Sequence, residues 1–166
     1  AQQPVAIILG CADARVPAEL IFDQGLGDLF VIRVAGNIVA PSLVVSVEFA
    51  ASRFGTKLVV VLGHTRCGAI AATIEDLQDP GGDHSPNLRD IVERIRPAVA
   101  MVVAEGAHDD AEDLALRAMR ANIAYSVDHL RHDSPLMEQL IRDEGVLVIG
   151  AEYSLETGEV TFFDQE

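Results

Sequence analysis

Two cysteines, one histidine and an aspartate–arginine pair carry the chemistry available to this chain. Cys11-Ala12-Asp13-Ala14-Arg15 follows one apolar run, and Gly63-His64-Thr65-Arg66-Cys67-Gly68 follows another. Two thiolates and an imidazole form a soft-to-borderline donor set, which zinc favours. Three protein ligands leave a fourth position open for water or substrate, as in catalytic rather than structural sites. Cys11 and Cys67 are the only cysteines, so a disulfide between them is the competing reading. Against it, the chain lacks the small, loop-rich character of disulfide frameworks. Asp13 and Arg15 are separated by one residue, close enough for a guanidinium to hold the carboxylate through two parallel hydrogen bonds. The ordinary reading of such a pair is a surface ion pair worth ~0–1 kcal/mol.

These side chains need a scaffold that brings two distant segments together. Val5 to Leu9 is a short run of aliphatic residues ended by Gly10, as a buried parallel strand would be. Further strands are expected at Leu29–Val34, Leu58–Leu62 and Val146–Ile149. Val160–Phe163, after the turn-like Glu156-Thr157-Gly158-Glu159, reads as an antiparallel edge strand. Helical patterns fill the intervals. Pro41–Phe54 has proline at its start and Gly55 after its end. Ala69–Leu77, Leu88–Glu105 (with Pro97 marking a kink or break), Asp109–Arg131 and Ser134–Arg142 follow. The acidic start and basic end of Asp109–Arg131 suit the helix dipole. Alternating strands and helices give an α/β fold with a mostly parallel sheet, and the late helices read as an insertion. In such sheets ligands bind beyond the carboxyl ends of the strands, where both motifs fall. Asp79–Ser85 is the expected flexible linker.

With 166 residues, one domain is the default, and 49% hydrophobic residues suffice for a core. Net charge is −14, which disfavours nucleic acid and anionic membrane as partners. No apolar stretch reaches the ~18 residues of a membrane helix, and no signal peptide is evident, so a cytoplasmic location is expected. The start at Ala1 without methionine also fits a piece of a longer protein. His84, His108, His129 and His132 read as exposed, and none is assigned to proton transfer.

Taken together, the residues resemble the β-class carbonic anhydrases. Cys-x-Asp-x-Arg followed by His-x-x-Cys is that family's metal motif. The likeness extends through Gly27–Arg33, Ala35-Gly36-Asn37, Cys67-Gly68-Ala69, Ala121-Asn122-Ile123, Gly150–Tyr153 and Thr157-Gly158. The resemblance implies a zinc enzyme interconverting carbon dioxide and bicarbonate. It also implies four parallel strands with an added antiparallel one, and a homodimer or dimer of dimers. Family members begin with helices that pack on the partner. This chain starts just short of its first strand, so a single domain over 1–166 lacking that arm is expected.

On this basis Cys11, His64 and Cys67 are expected to bind Zn²⁺. Asp13, held by Arg15, would orient zinc-bound hydroxide toward carbon dioxide. Released from Arg15, it would swing onto zinc as a fourth ligand in an inactive state. The substrate is apolar, so Phe30, Ala35 and Phe49 are candidates for the pocket wall. Phe49 stands where plant-type members have a tyrosine, and Gln2 matches their pocket glutamine. Gly68 is expected to allow close backbone approach at a helix start. Some bacterial members hold an inhibitory bicarbonate beside a tryptophan and an arginine. Here those places are Ile8 and Arg33, and Val34 replaces a frequent asparagine. Two alternatives share the metal site: a hydrolase of carbonyl sulfide or carbon disulfide, and an inactive zinc-binding regulatory module. A thiol redox enzyme fits poorly, since the cysteines are not a Cys-x-x-Cys pair.

Overall fold

The computed structural model describes residues 2–80, 85–106 and 110–163. The sheet is built on β1 (Ala6–Gly10) and β3 (Leu58–His64), which lie side by side at its centre. Every residue of β1 is buried, as is β3 after Leu58, which explains why both are unbroken apolar runs instead of alternating ones. β2 (Leu29–Arg33) flanks β1, and β4 (Leu147–Tyr153) flanks β3, all four parallel. β5 (Val160–Phe162) adds antiparallel to β4, giving the order β2-β1-β3-β4-β5. The expected architecture is therefore the observed one.

The two faces of the sheet are covered unequally. Ile7, Leu9 and Cys11 of the β1 segment look toward one core, with Val59, Val61 and Val148. Helices α2 (Pro41–Phe54), α3 (Gly68–Gln78), α4 (Pro86–Glu105), α5 (Ala111–His132) and α6 (Pro135–Glu144) supply residues to that core. Ala6, Ile8, Val60, Leu62 and Ala151 form a smaller cluster on the other face with α1 (Ala18–Ile21). Close packing of α5 on the sheet depends on two glycines. A Cβ at Gly63 would come within 2.5 Å of Ile123 Cδ1, and one at Gly150 within 2.7 Å of Ile123 Cγ2. Side chains there would push the helix off β3 and β4, the first of which ends in His64.

The helix ends follow their local chemistry. α2 has proline in its first turn and Gly55 at its C-cap with φ 67°. Asp110 caps α5 by accepting from the Glu112 N–H, and Ser134 caps α6 by accepting from Met137. Several expectations need correction. α4 passes through Pro97 as one helix, so no break occurs there. α1 and a 3₁₀ turn at Ala35–Asn37 carry too few residues for a periodic signal. β3 and β4 run on to His64 and Tyr153, because their pairing continues past the apolar runs. His129 is half-buried beside Asp133 instead of exposed. His84, His108, Asp109 and most of the expected linker lie outside the described residues. No helix among the described residues is long and apolar enough to cross a membrane.

Candidate metal centre

Cys11 stands just beyond β1, His64 is the last residue of β3, and Cys67 precedes α3. Because β1 and β3 are adjacent and parallel, their carboxyl ends bring the two motifs together. One ligand atom from each of Cys11, His64 and Cys67 lies within 4.8 Å of the others, and all three residues are buried. The cysteines are free thiols with their sulfurs 4.0 Å apart, so the disulfide reading is excluded. Two thiolates on one tetrahedral zinc, at ~2.3 Å each, would sit about 3.8 Å apart. The observed spacing fits that arrangement without rearrangement.

The protonation pattern also suits a cation. His64 Nδ1 lies 2.8 Å from the Thr65 carbonyl, which can only accept, so Nδ1 carries the proton. That leaves Nε2 as a bare lone pair, buried and without a hydrogen-bond partner. Such an orphaned group is costly unless something binds it. Cys11 accepts from the Gly36 N–H at 3.3 Å. Its hydrogen bond with Cys67 and these donors hold the Cys11 thiol well below its usual range, favouring the thiolate. The Cys67 thiol is pushed up by the same sulfur neighbour and by burial. A bound dication would favour both sulfurs as thiolates. Burial works against a charged His64, but the Cys11 sulfur and the Thr65 carbonyl outweigh it and raise its pKa overall.

Asp13 sits at the rim of this cluster, with Oδ2 4.0 Å from His64 Nε2. Arg15 grips it twice through the guanidinium, Nε to Oδ1 at 2.9 Å and Nη2 to Oδ2 at 2.7 Å. The Arg15 backbone N–H adds a third bond to Oδ1. These bonds, with Arg15 the main cause, hold the Asp13 carboxyl far below the usual carboxylate range. Beneath the loop, Arg33 donates to the Cys11 and Asp13 carbonyls. Arg33 is therefore committed to fixing the backbone that presents both residues.

A family model described as carbonic anhydrase matches residues 6–160. Carbonic anhydrase 2 of Mycobacterium tuberculosis is 36% identical over 166 residues, covering 98% of this chain and 76% of that protein. A β-carbonic anhydrase of Aspergillus fumigatus superposes with a TM-score of 0.89 at 25% identity, covering 99% of this chain and 77% of that one. The chain belongs to the β-class carbonic anhydrase family. Two tetrameric β-carbonic anhydrases from Sordaria macrospora share the fold, with a TM-score of 0.89 at 23% identity over 99% of this chain and 83% of that one. Membership makes this chain an enzyme of the lyase class.

Not every residue expected at the carbonic anhydrase pocket reaches this cluster within one chain. Ala35 begins the 3₁₀ turn whose next residue, Gly36, touches Cys11. Gly68 opens α3 directly after Cys67, but no protein atom lies within 4 Å of where its Cβ would be. It fronts open space, which leaves the backbone there accessible to a ligand. Gln2 is exposed and precedes β1, near Gly27, at the opposite end of the parallel strands from the ligands. Phe30 pairs in register with Ile7, which places it about 13 Å short of Cys11 at ~3.3 Å per residue. Phe49 packs on Phe30 and Phe54 and is 52% exposed. These three therefore do not line the ligand cluster of their own chain.

Sequence reasoning assigned no role to Gly36 in the site and none to Arg33 in bracing the metal loop. Gly36 has φ 71°, and a Cβ there would meet Ile95 Cδ1 at 2.7 Å and Ala69 Cβ at 3.0 Å. Only glycine lets its N–H reach the Cys11 sulfur in this conformation. The available signal was Ala35-Gly36-Asn37 placed directly after a strand.

Proposed function

We propose that this protein catalyses the zinc-dependent, reversible hydration of carbon dioxide to bicarbonate and a proton. The observation that carries the reading is the convergence of Cys11, His64 and Cys67 beside a carboxylate that Arg15 holds in one orientation. The donor set, the sulfur spacing and the orphaned His64 Nε2 all suit zinc, with Cys11, His64 and Cys67 as its holders. When bound, zinc supplies a hydroxide nucleophile near neutral pH by lowering the pKa of water to ~7.

The remaining work falls to the chain's own residues. Asp13 is anionic and acceptor-only, so it takes a hydrogen bond from the nucleophile and turns a lone pair toward carbon dioxide. Arg15 fixes that carboxylate through both oxygens, which keeps Asp13 from drifting onto the metal. Arg33 and Gly36 hold the Cys11–Asp13 loop from below. Release of Arg15 would free Asp13 to act as a fourth ligand, an inactive arrangement different from the one observed.

We further read the functional unit as a homodimer or a dimer of dimers. Phe49, Val45 and Leu136 leave apolar surface exposed around α2 and α6. A pocket role for Gln2, Phe30 or Phe49 would have to be played at the centre of a second copy. Stopped-flow hydration of carbon dioxide between pH 6 and 9, on a sample of measured zinc content, tests the proposal. Carbonyl sulfide and carbon disulfide run in parallel test the same-fold hydrolase reading. Hydration above the buffer rate supports the assignment, and turnover of the sulfur substrates alone overturns it.

A further inference from the structure

The metal loop is fastened from outside by a residue of the β4–β5 turn. Glu156 accepts from the Thr65 hydroxyl on Oε2 at 2.8 Å and forms an ion pair with Arg66, its Oε1 2.7 Å from Arg66 Nε. One carboxylate thus clamps the two residues between His64 and Cys67. Their carbonyls have separate tasks. The Thr65 carbonyl accepts from His64 Nδ1 at 2.8 Å, which sets the ring and its free Nε2. The Arg66 carbonyl accepts from Arg15 Nη2 at 3.1 Å, the same nitrogen that holds Asp13 Oδ2.

The loop needs such a fastener. Arg66 is a non-glycine residue at φ 56°, in the left-handed region that L side chains disfavour. Only a structure that over-determines this conformation keeps it. The β4–β5 turn does so at several points. Thr65 N–H donates to the Tyr153 carbonyl, Leu155 N–H donates to the Thr65 hydroxyl, and Ser154 donates to Glu156.

We propose that Glu156 is a positioning residue for the metal centre, locking the Thr65–Arg66 turn so that its carbonyls aim His64 and Arg15. The inference rests on the zinc reading above. The Arg66 and Glu156 side chains are 64% and 36% exposed, so as an isolated ion pair they would count for little. Their effect comes through the two carbonyls they hold, as with the outer partners of other metal ligands.

The test measures zinc release to a chromophoric chelator from the zinc-loaded full chain, with hydration kcat/KM on the same samples. Glu156→Ala should release zinc about tenfold faster, with a parallel fall in kcat/KM. Glu156→Gln keeps an acceptor for Thr65 but loses the charge, and should fall between Glu156→Ala and wild type. The control is Glu144→Ala, which breaks the comparably exposed Lys57–Glu144 pair at 2.6 Å, far from the site. It should leave zinc release unchanged, whatever it does to the melting temperature. Acceleration below about threefold in Glu156→Ala, or an equal effect in Glu144→Ala, overturns the proposal. If wild type retains zinc and turns over while Glu156→Ala behaves like it, only this inference fails. If wild type holds no zinc, the function proposed above fails as well.

Discussion

Asp13 Oδ2 lies 4.0 Å from His64 Nε2, close enough to share whatever His64 binds yet held off it by Arg15. This spacing separates two roles open to the carboxylate, partner of the nucleophile or metal ligand. Asp13→Asn should keep zinc and lose hydration activity by about 100-fold or more, the scale for a preorganised group at the reacting atoms. Near wild-type turnover in a zinc-loaded Asp13→Asn sample would reduce the pair to a surface contact.

The same pair fixes the expected pH behaviour. Arg15 depresses the Asp13 pKa, so the stability the pair gives is fully present above the unfolded aspartate value of ~4. It is lost only as pH falls from there through the lower folded value. Asp13 therefore stays ionised from pH 9 to 5, and Arg15 does not titrate in this range. The fall in activity below about pH 7.5 should follow a single ionisation near ~7, that of the activated water. X-ray absorption at both ends of this range checks it. A first shell of two sulfurs and two nitrogen or oxygen atoms, with no gain of a carboxylate at low pH, is the expected result.

Cys11→Ala or Cys67→Ala should weaken zinc binding by more than about 100-fold, beyond the loss seen for outer-shell partners. Competition with a chelator of known affinity measures this. Full occupancy in either variant would remove that cysteine from the ligand set.

Gly36→Ala tests the turn beneath Cys11. The new methyl would enter at 2.7 Å from Ile95 Cδ1, at a backbone with φ 71°. Strain and overpacking together should cost about 2–4 kcal/mol in urea unfolding. A variant as stable as wild type would show that the turn can relax, and that Cys11 does not depend on it.

Bicarbonate should act only as a product inhibitor, without the cooperative inhibition of a second anion site. Ile8 is buried on the sheet face opposite Cys11, and Arg33 is occupied by the Cys11 and Asp13 carbonyls. Initial rates against bicarbonate should fit simple hyperbolic inhibition, and a steep, sigmoidal response would contradict this.

Much of this was legible in the sequence, for identifiable reasons. The α2 boundaries follow from Pro41 and Gly55, because each residue has one strong backbone preference. Cys11, His64 and Cys67 were legible because soft donors after strand ends have few other uses. The extensions of β3 and β4 were not, since Gly63 and Gly150 look like strand ends. They are strand interior only because Ile123 of α5 needs their missing side chains. Arg33 was hidden because its partners are backbone carbonyls, which no side-chain pattern announces. Gln2 and Phe49 were placed at a pocket by family resemblance and Phe30 by its apolar character, and neither distinguishes a chain's own site from a neighbour's.

The central claim, that zinc held by Cys11, His64 and Cys67 drives carbon dioxide hydration, is tested most directly by titrating zinc into metal-stripped protein while recording stopped-flow hydration. Activity should rise linearly and break sharply at one zinc per chain, with no such rise for Cys11→Ala. Protein that binds one zinc per chain yet hydrates carbon dioxide no faster than buffer would contradict the account.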